Sequence, residues 1–331
     1  MNIKSYVKQM NLNEARNLYK HFLLVQKYNP NTISTSCTDA FFLWRKKSPE
    51  IFWEAVENKS EDKKLLLDAL KENTTGNSEK LVNGYRFHLD LFRKFLKLEN
   101  YIPTPSQEEV EKYLKKWDEL ENYTAQEEAL DKLFFKLCPK NEDFSDILLK
   151  ASTLNDFYST QVYDVYKIAK RIENVNKDKK NKTVDARLND GDLTLVDDIR
   201  LVKITNKDKE KEINYFSFAS KYCSHHNPKE FPIYDSYVKQ VLWYFHKREK
   251  GLFNELFEEF NIPDNQTGFE KKLKSKYSIF KKMLERFQET YGLENDLKLL
   301  DRYLWLLGKD YFPNPNYKKD KKKKGEADSK K

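Results

Sequence analysis

Apolar residues recur along most of the chain at the spacing of amphipathic helices, with charged residues filling the intervening faces. Residues 11–30 and 32–57 read as helices, the second placing Ile33, Cys37, Phe41, Trp44 and Phe52 on one side. Residues 61–73 and 78–97 give two more, the latter with a stripe of Leu81, Tyr85, Leu89, Phe92, Phe95 and Leu96. The segment Tyr101-Ile-Pro-Thr-Pro-Ser106 then interrupts the pattern, because Pro103 and Pro105 each push the preceding residue out of the α region. This predicts an N-terminal helical domain over 1–100 and a second domain over 107–312. Within the second, helices are expected at 107–122, capped by Thr104 or Ser106, and at 125–137, capped by Thr124 and ending before Cys138-Pro139. Residues 144–152 and 155–174 continue the pattern, and 176–182 form a polar basic loop. Apolar positions between 184 and 214 are broken by Asn189-Asp190-Gly191-Asp192 and by the charged run 206–212, so short helices and a small β-ribbon fit equally well. Helices at 215–226, 235–250, 252–260, 268–291 and 294–308 complete a mostly α fold: an N-terminal helical bundle followed by a larger helical domain.

Composition sharpens this picture. Aromatic residues make up 14% of the 331 residues, a content that disordered chains lack. Only 8 Gly and 10 Pro are present, too few for a turn-dense sandwich or barrel, and no Gly cluster marks a phosphate-binding loop. The formal net charge of +8 invites a nucleic-acid reading. However, residues 318–331 hold eight Lys against three acids, a net of +5, which leaves +3 for the rest of the chain. Residues 313–331 are therefore expected to be a disordered basic tail that raises nonspecific DNA affinity through counterion release, while the remainder is nearly balanced. The three cysteines, Cys37, Cys138 and Cys223, are too few and too scattered for a disulfide framework or a Cys-rich metal knuckle. The first twenty residues lack the apolar core of a signal peptide, no stretch approaches a membrane span, and a cytoplasmic location is expected.

Candidate chemistry concentrates in residues 215–238. An apolar helix carries Lys221 among small and aromatic neighbours, a loop bounded by Pro228 and Pro232 follows, and Asp235 stands where the next helix needs an N-cap. A lysine desolvated by aromatic neighbours loses its proton readily and can attack an electrophilic carbon to form a Schiff base. A carboxylate beside it can stabilise a developing oxocarbenium ion at a sugar. Cleavage of an N-glycosidic bond uses both.

On Lys221 and Phe231-Pro-Ile-Tyr-Asp-Ser-Tyr-Val238, the segment resembles the helix-hairpin-helix/Gly-Pro-Asp superfamily of DNA glycosylases, in its 8-oxoguanine DNA glycosylase branch. The likeness extends more loosely over 107–310, including Asp301-Arg-Tyr-Leu-Trp-Leu-Leu-Gly-Lys309, and leaves out 1–100. The resemblance implies that Lys221 is the Schiff-base lysine, which opens a helix in that family, and that Asp235 is the catalytic aspartate. It also implies a double-stranded DNA partner and no cofactor. Ser220, Tyr222, His225, His226, Tyr234 and Lys239 are the expected substrate or DNA contacts, and residues 1–100 a DNA or protein-partner clamp.

Simpler roles stand beside these. A helical lysine is ordinarily solvated, Asp235 can be a structural cap, and most of the aromatics must be core. The acids Asp190, Asp192, Asp197 and Asp198 suit turns and caps better than a Mg²⁺ site, and no metal site is expected. The family's phosphate-gripping turn is Gly-rich, whereas Lys207–Ile213 and Ser217–Ser220 contain no Gly. That favours the alternative reading, a catalytically inactive DNA-binding or interaction module on the same fold, in a mobile-element or phage-defence setting.

Overall fold

A computed structural model of the chain describes residues 3–73, 78–98, 102–178, 182–206, 209–249 and 251–312. The basic tail and part of the 176–182 loop lie outside the described residues. The chain is mostly α, as the periodicity predicts. Its described residues divide into two compact units: those of 1–104, 247–250 and 309–331, and those of 105–246 and 251–308.

The first unit is built on Leu12–Val25, Pro30–Asp39, Phe42–Lys46, Pro49–Glu57, Asp62–Asn73 and Ser78–Leu96. Its core is aromatic: Tyr19, Phe41, Phe52, Phe92 and Phe95 are fully buried and mutually packed. Asp62, also fully buried, is held by Arg86 at 2.7 Å and Arg93 at 2.9 Å. The continuous helix expected over 32–57 is three helices. Pro49 excludes Ser48 from the α region, so the hydroxyl of Ser48 instead caps Ile51 N–H, and a new helix starts there.

In the second unit Ser106, rather than Thr104, caps Gln107–Asp118 by accepting from Glu109 N–H. The following helix begins at Glu121, ahead of the expected Thr124 cap; the Thr124 hydroxyl donates back to the Glu121 carbonyl instead. That helix widens into a π-helical turn over Leu133–Leu137, closed by Cys138 N–H to the Leu133 carbonyl at 2.8 Å. Phe144–Phe157 and Val165–Lys177 follow as an adjacent pair. Both structures drawn for 184–214 are present. Two short helices, Val184–Asn189 and Thr194–Arg200, lead into antiparallel strands Leu201–Asn206 and Lys209–Asn214, with Leu201 opposite Asn214 and Ile204 opposite Lys211. Phe216–His226 is the most enclosed element, with nine of its residues buried. Ser236–Arg248, Asn254–Glu259, Gln266–Leu273, Tyr277–Tyr291 and Leu297–Tyr311 complete the order. The helix expected over 268–291 is thus split in two.

The acids weighed as a magnesium set are used in the fold: Asp192 and Asp198 bind Arg187, Asp197 binds Arg200 and Tyr277 N–H, and Asp190 pairs with Lys182. Among the described residues no group of His, Cys, Asp and Glu is arranged to hold a metal ion, and no helix is long and apolar enough to cross a membrane.

Candidate active site

Lys221 is the sixth residue of Phe216–His226 and is only 2% exposed, so it does not open its helix as the family lysine does. Its amine donates to Ser217 Oγ at 2.8 Å and to the Tyr234 carbonyl at 3.3 Å, and lies 3.7 Å from Asp235 Oδ2 and 5.2 Å from the centre of the Tyr158 ring. Burial pushes the ammonium below its ordinary value, against the pull of Asp235 and Asp301.

Asp235 arrives by a short, tightly held route. Tyr234 N–H donates to Ser220 Oγ at 3.0 Å, and the Tyr234 carbonyl accepts from both Ser217 Oγ and Lys221. Both backbone polar groups of Tyr234 are thereby fastened to the lysine helix. Asp235 Oδ1 then accepts from Tyr237 N–H at 2.8 Å, the N-cap bond expected of it, which leaves Oδ2 toward the amine.

A narrow cleft of about 50 Å³ is lined by neither Lys221 nor Asp235 but by neighbours of both, among them Tyr158, whose ring centre is 5.2 Å from the Lys221 amine. His225, Pro232, Asp301, Arg302, Trp117 and Glu127 are also among its lining. His225 Nε2 and the Tyr158 hydroxyl share a hydrogen bond of 2.9 Å, and burial lowers the imidazole to about 4, so the ring is neutral at pH 7. Arg302 reaches Glu127 at 2.5 Å and lies 5.3 Å above the Trp117 ring, and Lys298 reaches Glu127 at 3.0 Å. Burial alone would raise Glu127, but these two cations outweigh it and hold the carboxyl below its ordinary range. Burial, augmented by Asp235 and opposed by Lys221, raises Asp301 to about 8.

Asp301 is carried by Leu297–Tyr311, which comes close enough to the start of Ser236–Arg248 that a Cβ on Gly308 would stand 2.6 Å from Tyr237 Cβ. The glycine permits this approach, and Asp301 lies two turns before it on the same side of the helix.

The expected contacts separate into groups. Lys221, Asp235 and His225 come together at or beside the cleft. Ser220 serves as the loop fastener just described. Tyr222 and His226 point to a different network: Lys150, fully buried, donates to Asn141 Oδ1 at 2.8 Å, to the Lys140 carbonyl at 2.9 Å and to His226 at 3.2 Å, while the Tyr222 hydroxyl also bonds Asn141. Asp185 anchors Asn141 at 2.6 Å, and burial lowers the Lys150 ammonium to about 8. Tyr234 is turned into the core against Phe216 and Phe280. Lys239 pairs with Glu270 at 2.7 Å, away from the cleft. Sequence reasoning did not single out the roles of Asp301, Tyr158, Arg302, Glu127 and Trp117. The signal for Asp301 was an acid on an apolar helical stripe with Leu297, Leu300, Leu304 and Gly308.

Comparison with known proteins gives limited context. A family model described as HI_0787_N, N-terminal domain, matches residues 109–230. That span includes Tyr158, Lys221 and His225 and stops short of Asp235 and Asp301. An uncharacterized protein of Haemophilus influenzae is 42% identical over 159 residues, a stretch that covers 48% of this chain and 64% of the relative. No solved structure matches. The chain is therefore similar, over its middle third, to a domain whose description names no activity.

Proposed function

We propose that the second unit is a DNA glycosylase and abasic-site lyase of the 8-oxoguanine type, acting on a modified or damaged base through a Schiff base on Lys221. The reading is carried by one observation: a buried lysine amine stands 3.7 Å from a carboxylate oxygen that a helix N-terminus holds in place. The two groups are close enough to serve one sugar carbon, and burial favours the neutral, nucleophilic amine. In this reading the base is extruded from the duplex into the cleft. Asp235 stabilises the positive charge that develops on the sugar as the C1′–N bond lengthens, and the Lys221 nitrogen bonds to C1′ as the base departs with the bonding electron pair. The Tyr158–His225 pair and the Arg302–Glu127–Lys298 group would line the bound base.

A second reading is favoured by two other observations. The segment before the lysine helix is a glycine-free antiparallel ribbon rather than a glycine turn that exposes N–H groups to a phosphate. The cleft of about 50 Å³ is also far below the roughly 300 Å³ at which small-molecule sites begin, so a base must displace part of its wall to enter. These fit a DNA-binding module without catalysis. Sodium borohydride separates the two readings. Duplexes carrying 8-oxoguanine, uracil or an abasic site are incubated with the protein and reduced, and a covalent adduct that is lost in Lys221→Gln is expected. Absence of any adduct, or an adduct undiminished by the substitution, overturns the lyase reading. Duplex binding that persists without an adduct would support the inactive module.

A further inference from the structure

Two carboxyl groups, Asp235 and Asp301, act on the Lys221 amine, and the chemistry above uses only one of them. Their surroundings differ. Asp235 receives a backbone N–H on one oxygen and faces the Lys221 amine with the other. Asp301 Oδ1 is buried and has no hydrogen-bond partner, although its residue lines the cleft. A buried polar oxygen left unmatched is costly in a folded protein, and a catalytic role is one of the few things that explain it.

The groups acting on Asp301 set its proton. Lys221 opposes protonation from the lysine helix, and Arg302 does so from the same helix as Asp301; Asp235 and Glu127 favour it. The phenols of Tyr158 and Tyr277 also sense its charge, and His225 and Lys298 share its cleft. Burial and the neighbouring Asp235 and Glu127 keep the proton on Asp301 against the pull of Lys221 and Arg302.

We infer that Asp301 is the general acid of this cleft, a neutral carboxyl that protonates the departing base, and that the substrate is therefore a base presenting a ring nitrogen or carbonyl acceptor to it. The inference rests on the glycosylase reading. Neutral Lys221 forms its N–C1′ bond while the C1′–N bond to the base breaks. The electron pair leaves on the base, which takes the Asp301 proton. The resulting Asp301 carboxylate then removes a proton from the Lys221 nitrogen, now a secondary ammonium, and is restored as the acid.

The test compares wild type with Asp301→Asn on duplexes containing 8-oxoguanine, uracil or an abasic site. Circular dichroism and cooperative urea unfolding show whether the variant is folded, and since an abasic site has no base to protonate, borohydride trapping on it should fall much less than base release. Base release should fall by about 10²–10⁴-fold, the usual contribution of general acid catalysis, and the high-pH decline of release near 8 should disappear. Infrared spectroscopy of the free protein at pH 7 should show a protonated-carboxyl stretch that Asp301→Asn removes. Base release within a few-fold of wild type in the variant, or absence of that infrared band, overturns the acid role. Wild type that is trapped on an abasic site but releases neither 8-oxoguanine nor uracil overturns the acid role and leaves the lysine reading standing. Wild type that is never trapped overturns both.

Discussion

Two helical glycines should respond to the same substitution with opposite signs. Gly308 faces the start of Ser236–Arg248, and an alanine Cβ there would meet Tyr237 Cβ at 2.6 Å and the Tyr237 carbonyl carbon and oxygen at 3.1 Å. Two of these three atoms belong to the backbone, so relief requires one helix to move. Overpacking of this kind costs about 1–3 kcal/mol, and the better helix propensity of alanine returns about 1 kcal/mol. The net expectation for Gly308→Ala is a loss of up to about 2 kcal/mol. Gly84, inside Ser78–Leu96, has nothing within 4 Å of the position an alanine methyl would take, so Gly84→Ala keeps the propensity gain of about 1 kcal/mol. Native-state amide hydrogen exchange reads each helix separately: protection should fall in Ser236–Arg248 for the first variant and rise in Ser78–Leu96 for the second. Tyr237 N–H, the donor to Asp235, is the amide to follow most closely. Equal or greater protection in Gly308→Ala would refute the close-approach argument.

Two further outcomes follow from the buried titratable groups. His225 has an ordinary value of 6.5 in the unfolded chain and about 4 in the fold, so the folded state binds fewer protons and loses stability as pH falls from 6.5 toward 4, by about 3 kcal/mol in all. Urea unfolding across that range should show a clear slope that flattens in His225→Gln; an unchanged slope would exclude His225 as its source. Lys150→Met removes the donor shared by the Lys140 carbonyl, Asn141 and His226 and should destabilise the second unit by about 1–3 kcal/mol without abolishing borohydride trapping. Loss of trapping in a folded Lys150→Met protein would instead place that network in the chemistry.

The helical class was legible because apolar stripes repeat at helical spacing: Leu89, Phe92, Phe95 and Leu96 bury as a set, although Leu81 at the start of the same stripe is exposed. The lysine and aspartate were legible as a pair because one short loop with prolines at both ends joins their helices. The contacts around them were less so. Adjacent residues on a helix point about 100° apart, so Lys221 and His225 share one direction, while Tyr222 and His226, each one position on, face the Lys150 network. Tyr234 lies in the irregular segment between the two helices and enters the core, although Asp235 beside it does not. The remaining site groups come from segments distant in sequence. Phe134 and Phe135 are aimed by a π-helical turn, which no local propensity marks: the first packs on His225 and His226, and the second lines the cleft.

The double fastening of the Tyr234 backbone has a consequence for motion. With its N–H held by Ser220 and its carbonyl by Ser217 and Lys221, the loop that carries Asp235 cannot drift from the lysine helix without breaking three hydrogen bonds together. Lysine and aspartate therefore travel as one rigid body, and a ligand too large for the resting cleft must be admitted by the facing wall. The lining outside that pair includes Tyr158, at the end of Phe144–Phe157, and Asp301 and Arg302 of Leu297–Tyr311, and a larger ligand would have to displace these side chains without parting lysine from aspartate.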